Sequence, residues 1–254
     1  MKRGIVLILF VLLLLFVTGC VFALTASEIL DEMEARRTRF TTQKTVGRIV
    51  LVDASGKEEA REMVMYSKDE GEDKVSIIFR FLSPADVKGV TLLSLRNGEK
   101  IYLYMPAYKK VRLIAGSSKS EKFMGTDFTY DDLSGGYGKE DYESTLKGED
   151  DTNYYLELIP KKADSKYGKL SMTVDKEKFY FKKIDFFDTA GNLWKTLEVH
   201  EVREREDGSI QILKLSLKDV KENHATIMEV SSIEEDIPLP DDFFSVRTIQ
   251  RPTL

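Results

Sequence analysis

The chain carries two histidines, His200 and His224, and one cysteine, Cys20, so nucleophile, base and metal chemistry have few residues to work with. Both histidines sit in runs that alternate apolar and polar side chains, and no nucleophile elbow, HExxH helix or Cys/His pair accompanies them. A dispersed Ser/His/Asp set would leave no local signature, so a hydrolase is disfavoured by the missing motifs rather than excluded. Asp127, Asp131 and Asp132 are spaced neither as a calcium loop nor as a transition-metal site with histidine, and surface charge or helix capping is the expected role. Ser134-Gly-Gly-Tyr-Gly-Lys139 lacks the spacing, and the Ser/Thr after the lysine, of a phosphate-binding loop, so it reads as a flexible turn. Trp194 reads as a core aromatic. No catalytic residue, metal site or cofactor is expected.

The elements that would hold any site are mostly strands. Thr25-Ala-Ser-Glu28 has capping-box spacing, Leu24 and Ile29 would form the hydrophobic staple, and the periodicity predicts one amphipathic helix over Ala26 to Arg39. After it, period-two alternation dominates. Val75, Ile77, Phe79 and Phe81 share one face of a strand, as do Leu213, Leu215 and Leu217. Comparable runs lie near 45–53, 61–67, 90–96, 100–105, 109–115, 153–159, 169–175, 178–187, 193–204 and 225–233, with turn signals at Asn97-Gly98, Ala190-Gly191-Asn192 and Asp207-Gly208. The expected fold is mainly β: a curved antiparallel sheet of about 11–12 strands, an incomplete barrel. The N-terminal helix and a short helical or irregular insert between Phe123 and Gly138 would cover its concave face, with Asp127 to Leu133 helix-compatible.

The first residues carry a different signal. Met1-Lys2-Arg3 precedes an apolar run from Ile5 to Val17 and then Thr18-Gly19-Cys20, the layout of an export signal over residues 1–19. That run is short for a membrane span. Cleavage before Cys20 would leave a lipid-bearing cysteine; cleavage after Ala23 would leave Leu24 as the first residue. A lone cysteine has no internal disulfide partner, which favours the lipid anchor. The net charge of −5 turns more negative once Lys2 and Arg3 are removed, which disfavours nonspecific nucleic-acid binding. The rest, 24–254, suits a single domain.

Three landmarks stand in order: Pro84-Ala-Asp86-Val-Lys88-Gly89, then Tyr102-Leu-Tyr104-Met-Pro106-Ala107-Tyr-Lys-Lys-Val111-Arg112, then Phe123-Met-Gly125-Thr-Asp127-Phe128-Thr-Tyr130-Asp131-Asp132-Leu133. With the closing Pro240-Asp-Asp-Phe-Phe244, this string resembles the LolA/LolB-like outer-membrane lipoprotein-sorting family of periplasmic carriers and their uncharacterised relatives. The resemblance is strongest over Phe79 to Leu133. It implies a curved, incomplete barrel with helices as a lid over an apolar cavity, and a non-catalytic carrier or receptor for the acyl chains of lipoproteins or other lipids. It also implies a periplasmic or cell-envelope location, and as partners a membrane surface and an inner-membrane transporter. Carrier relatives hold the lid with an arginine; Arg80 and Arg112 are the candidates here.

Alternation places Ile77, Phe79, Phe81, Ile101, Leu103, Met105, Val111 and Leu113 on the concave side as cavity candidates. Phe123, Met124 and Phe128 are candidates for a mobile lid or a membrane-touching tip, or else for residues that anchor the insert to the sheet. A second class of function uses the same sheet as an envelope-anchored protein-interaction or sensor module.

Overall fold

A computed structural model describes residues 24–37, 39–71, 74–134, 139–163 and 165–254. The expected export signal, Cys20, both cleavage sites and Gly135 to Gly138 lie outside the described residues.

Thirteen strands form one antiparallel sheet that is not closed into a barrel. They are β1 (Thr42–Val52), β2 (Glu58–Asp69), β3 (Val75–Ser83), β4 (Thr91–Leu95), β5 (Lys100–Met105) and β6 (Lys110–Ile114), then β7 (Tyr142–Glu149), β8 (Asn153–Pro160), β9 (Tyr167–Asp175), β10 (Phe181–Asp188), β11 (Leu193–Glu204), β12 (Ile210–Asp219) and β13 (His224–Glu235). The spatial order runs from β6 through β1, then β13 through β7. Two meanders therefore meet at the β1/β13 pair, and β6 and β7, adjacent in sequence, are opposite edges. The chain between them, 115–141, has to span twelve inter-strand spacings of about 4.8 Å, on the order of 55–60 Å along the curve. Topology thus makes this insert cross the sheet, and the packing of Phe123 and Phe128 places it on the inner face.

The predicted capping box is present: the Thr25 hydroxyl accepts from the Glu28 amide at 3.3 Å, and the Glu28 carboxylate accepts from the Thr25 amide at 2.7 Å. The helix, α1 (Ala26–Ala35), stops short of Arg39. Its last carbonyls are taken over by the sheet, since the Ile210 amide donates to the Arg36 carbonyl at 2.8 Å and Arg37 bridges to Ile210. A tertiary hydrogen bond has displaced the next intrahelical one. The described residues of the insert are not α-helical either. It holds a 3-10 stretch at Gly116–Ser120, an isolated Lys122/Thr129 bridge and turns. Asp132 accepts from the Thr129 amide and Thr129 from the Asp132 amide, a reciprocal cap that closes a turn rather than opening a helix.

β7 adds a strand the alternation does not announce, because YESTLKGE offers only Tyr142 and Leu146 as apolar side chains. β3 and β4, with Met63 to Tyr66 of β2, read instead as apolar runs, and both their faces are covered. On the outer side, Phe243 and Ile249 of the C-terminal segment pack with Val64, Tyr66, Ile78 and Leu93. Gly47 sits at a bulge between β1 and β13, where a Cβ would lie 2.2 Å from the Glu229 carbonyl oxygen.

Candidate functional site

The inner face holds two apolar clusters. One is roofed by α1 and combines Ile29 and Leu30 with Leu156, Leu158, Leu170, Met172, Ile184, Phe186, Leu197 and Leu217 from β8 to β12. The other lies under the insert and combines Ile49, Met63, Phe79, Phe81, Leu92, Ile101, Leu103 and Ile114. Leu133 and Met228 are half-buried against both and mark the seam.

Of the eight cavity candidates, Phe79, Phe81, Ile101 and Leu103 are buried in the second cluster, with Ile77 and Met105 half-buried against it. Val111 and Leu113 are on the other side. β5 and β6 pair with Met105 opposite Lys110, Leu103 opposite Arg112 and Ile101 opposite Ile114, so the inward set of β6 is Lys110, Arg112 and Ile114. Val111 packs into the outer cluster and Leu113 is 54% exposed. The turn at Pro106–Tyr108, with Lys109 at φ 50°, shifts the parity, and a one-residue slip moves every side chain to the opposite face.

The lid candidates also need correcting as an exposed tip. Phe123 is fully buried, stacked with Phe81 at 5.6 Å between centroids and edge-on to Phe79 at 5.5 Å. Phe128 is buried in the cluster under α1, and Met124 is half-buried against the second cluster. The insert therefore plugs both clusters with one phenylalanine each.

A buried polar network fixes the insert between those plugs. The Asp127 carboxylate, fully buried, accepts from the Thr226 hydroxyl at 2.8 Å, contacts His224 Nδ1 at 2.7 Å and pairs with Lys122 at 3.3 Å. Lys122 also reaches Asp219 at 3.0 Å and Glu222 at 2.7 Å. Lys195, fully buried on β11, donates to the Asp127 carbonyl at 2.7 Å and pairs with Asp132 at 3.4 Å. Burial works against the charged forms of Lys122 and Asp219. Their mutual hydrogen bond, with Glu222 on the lysine, nevertheless raises the ammonium pKa and lowers that of the carboxyl. Asp127 and Asp132 are thus buried counter-charges rather than surface charge, and no group of three or more metal-ligating side chains occurs among the described residues.

The trio Thr226, Asp127 and His224 has the composition of a catalytic set in the wrong order. A nucleophile relay places the imidazole between hydroxyl and carboxylate; here the carboxylate lies between the other two. His200 is exposed, 2.7 Å from the Ser216 hydroxyl. Trp194 is half-buried and donates to Asp219 at 3.2 Å.

Sequence reading missed the arginine that grips the insert. Arg61 of β2, only 7% exposed, donates to the Met124 carbonyl at 2.6 Å and lies over the Phe81 ring. Arg80 is buried on the outer face against Thr91 and the Ile249 carbonyl, and Arg112 makes an exposed contact with Ser118. The only local signal is that Arg61 lies two residues before Met63, on the same face of β2.

A protein-family profile described as "-like: Uncharacterized protein" matches residues 73–251, most of the sheet and the whole insert. The chain belongs to that family. Its fold is shared with a domain from Vibrio parahaemolyticus named as an outer membrane lipoprotein-sorting protein, at 25% identity and a TM-score of 0.83, covering 89% of this chain and 98% of that one. A DUF1329 family protein from Desulfovibrio piger has 24% identity and a TM-score of 0.80, over 88% and 97% of the two chains. A LolA superfamily protein from Nitrosomonas europaea has 20% identity and a TM-score of 0.71, over 89% and 99%. No curated protein matches. The chain thus has the LolA-like curved sheet, and no helix among the described residues is long and apolar enough to cross a membrane.

Proposed function

We propose that this protein is a non-catalytic carrier or receptor that takes the acyl chains of lipoproteins, or another lipid, onto the inner face of its sheet as they cross the cell envelope toward the outer membrane. One observation carries the reading: the roof over the second cluster is joined to the sheet by side chains and not by a β-ladder. The insert's own backbone bonds run within it, from the Phe123 amide to the Phe128 carbonyl and from the Tyr130 amide to the Glu121 carbonyl. It is held down by Phe123, Phe128, Arg61 and the Asp127/Lys195 network. Such a roof can lift while all thirteen strands stay paired.

In the closed form Phe123 and Phe128 occupy the space that an acyl chain would take. Each methylene moved from water to that face contributes about 0.8 kcal/mol, enough for a long chain to displace two phenyl rings and break a few polar contacts. Export by the N-terminal signal over residues 1–19, a lipid on Cys20, a single domain over 24–254, and an inner-membrane transporter as donor complete the reading. A surface hollow lined by Arg48, Glu62, Glu201, Lys214 and Glu229 is charged and is not where an acyl chain would sit.

Native mass spectrometry of the mature protein, taken gently from envelope extracts, tests this. Bound lipid or lipoprotein that disappears on denaturation supports the carrier, and the denatured mass reports any lipid on Cys20. A clean apo mass without uptake of added phospholipid or acylated peptide overturns it. The filled inner face, with Phe123 fully buried, favours as second reading the envelope-anchored interaction or sensor module.

A further inference from the structure

β6 ends the sheet, and what it presents is unlike a protected edge. Short length and basic side chains are ordinary defences against strand addition, and β6 has both: five residues, with Lys110 and Arg112 exposed and Lys109 exposed just before them. Yet Tyr108, 70% exposed, and Leu113, 54% exposed, are the two most exposed large apolar side chains among the described residues, and they lie within this strand and the turn that leads into it.

The register sorts these side chains by face. Val111 lies opposite Tyr104 and Leu113 opposite Tyr102, so an outer-face ladder of half-buried tyrosines and aliphatic side chains runs to the edge and stops there without a neighbour. On the inner face the same strand shows Lys110 and Arg112. Arg112 has only exposed contacts, with Ser118 and with Glu121 at 3.8 Å, and Lys109 and Lys110 have no carboxylate partner among the described residues.

We propose that β6 is a docking edge for an extended, acidic segment of a partner protein, which adds as a fourteenth strand. Its acidic side chains would face Lys110 and Arg112, and its aliphatic ones would extend the Val111/Leu113 ladder. Main-chain hydrogen bonds supply affinity in strand addition, and alternate side chains supply specificity. A second copy of this chain fits poorly. Its free edge, β7, puts Tyr142 and Leu146 on the inner face, where they pack against the α1 cluster, and Glu143 between them on the outer one. That is the reverse of what β6 calls for.

The test is a titration of the mature full chain with a blocked hexapeptide of alternating glutamate and valine, read by amide hydrogen exchange of 109–114 and by sedimentation. The expected result is about tenfold slower exchange confined to β6, weakened by salt. The Lys110→Glu/Arg112→Glu variant should lose this response and gain it for the corresponding lysine and valine peptide. Both positions are exposed, so the variant keeps its fold, which circular dichroism checks. Unchanged β6 exchange, equal binding of the lysine peptide by the unaltered chain, or concentration-dependent self-association through β6 would each overturn the proposal. None of these outcomes bears on lipid uptake.

Discussion

Lys195 shows how much one side chain decides. Its ammonium, buried at 1% side-chain exposure, satisfies the Asp127 carbonyl and the Asp132 carboxylate together. Lys195→Met removes the cation and leaves a buried carboxylate without its counter-charge, a change of about 3 kcal/mol. Urea unfolding should show a loss of stability of that size, as a lower midpoint at an unchanged slope. Arg61→Ala acts differently, since it frees the Met124 carbonyl beside the insert's own turn. Amides of 121–128 should exchange faster while the strand amides keep their protection; uniform loss of protection would mean that Arg61 serves global stability instead. The Lys122/Asp219 contact sets a pH window. A carboxyl held below its ordinary pKa stabilises the fold fully above its unfolded value, roughly 3.9, and loses that contribution as pH falls through the lower folded one. A raised lysine contributes fully below roughly 10.4 and loses it as pH rises through the folded value. Amides of 119–134 should therefore loosen first below about pH 4, and Asp219→Asn should bring that loosening to pH 7.

Among the elements, the bulged centre of the sheet is the least forgiving. A Cβ on Gly47 would run into the Glu229 carbonyl, which is backbone and cannot rotate away. Gly47→Ala should cost at least roughly 1–3 kcal/mol, seen as a lower melting temperature, whereas the same change at Gly191, at a turn with open space around its would-be Cβ, concerns only its φ of 83°. β6 and the insert show why elements were only partly legible. Strands β1 to β5 and β8 to β13 follow from alternation or from long apolar runs. The inner or outer assignment of β6 required knowing that four residues separate Met105 from its partner Lys110 across a turn with a left-handed lysine. The helix boundary required knowing that Ile210 would claim the Arg36 carbonyl. Phe123 and Phe128 look alike in sequence, and only the path of the insert sends them to different clusters.

Across the whole molecule, the two halves of the sheet are built unequally. β1 to β5 are covered inside by the insert and outside by the C-terminal segment, while β8 to β11 carry α1 inside and mixed Lys, Glu and Thr side chains outside. Phe243→Ala should cost about 3 kcal/mol, since the ring packs edge-on against Tyr66 at 4.9 Å and is 6% exposed. Leu103→Glu, 3% exposed beneath the insert, should unfold the closed form rather than spare it, because an unpaired buried charge is costly. A folded variant with an unchanged melting temperature would show instead that the inner face opens readily.

The sequence by itself determined that this is a mainly β chain with one capped N-terminal helix and an inward apolar stripe through Phe79, Phe81, Ile101 and Leu103. Those properties depend on neighbours a few residues apart, through period-two alternation, capping distances and turn chemistry. Only the tertiary structure decided that Asp127, Lys195 and His224 meet, that Arg61 holds the insert, and that the C-terminal segment closes the outer face. Asp127 reaches Lys195 and His224, and Met124 reaches Arg61, over 63 to 97 positions through the crossover from β6 to β7, while Phe243 reaches Tyr66 over 177 positions after β13; no local pattern encodes either meeting.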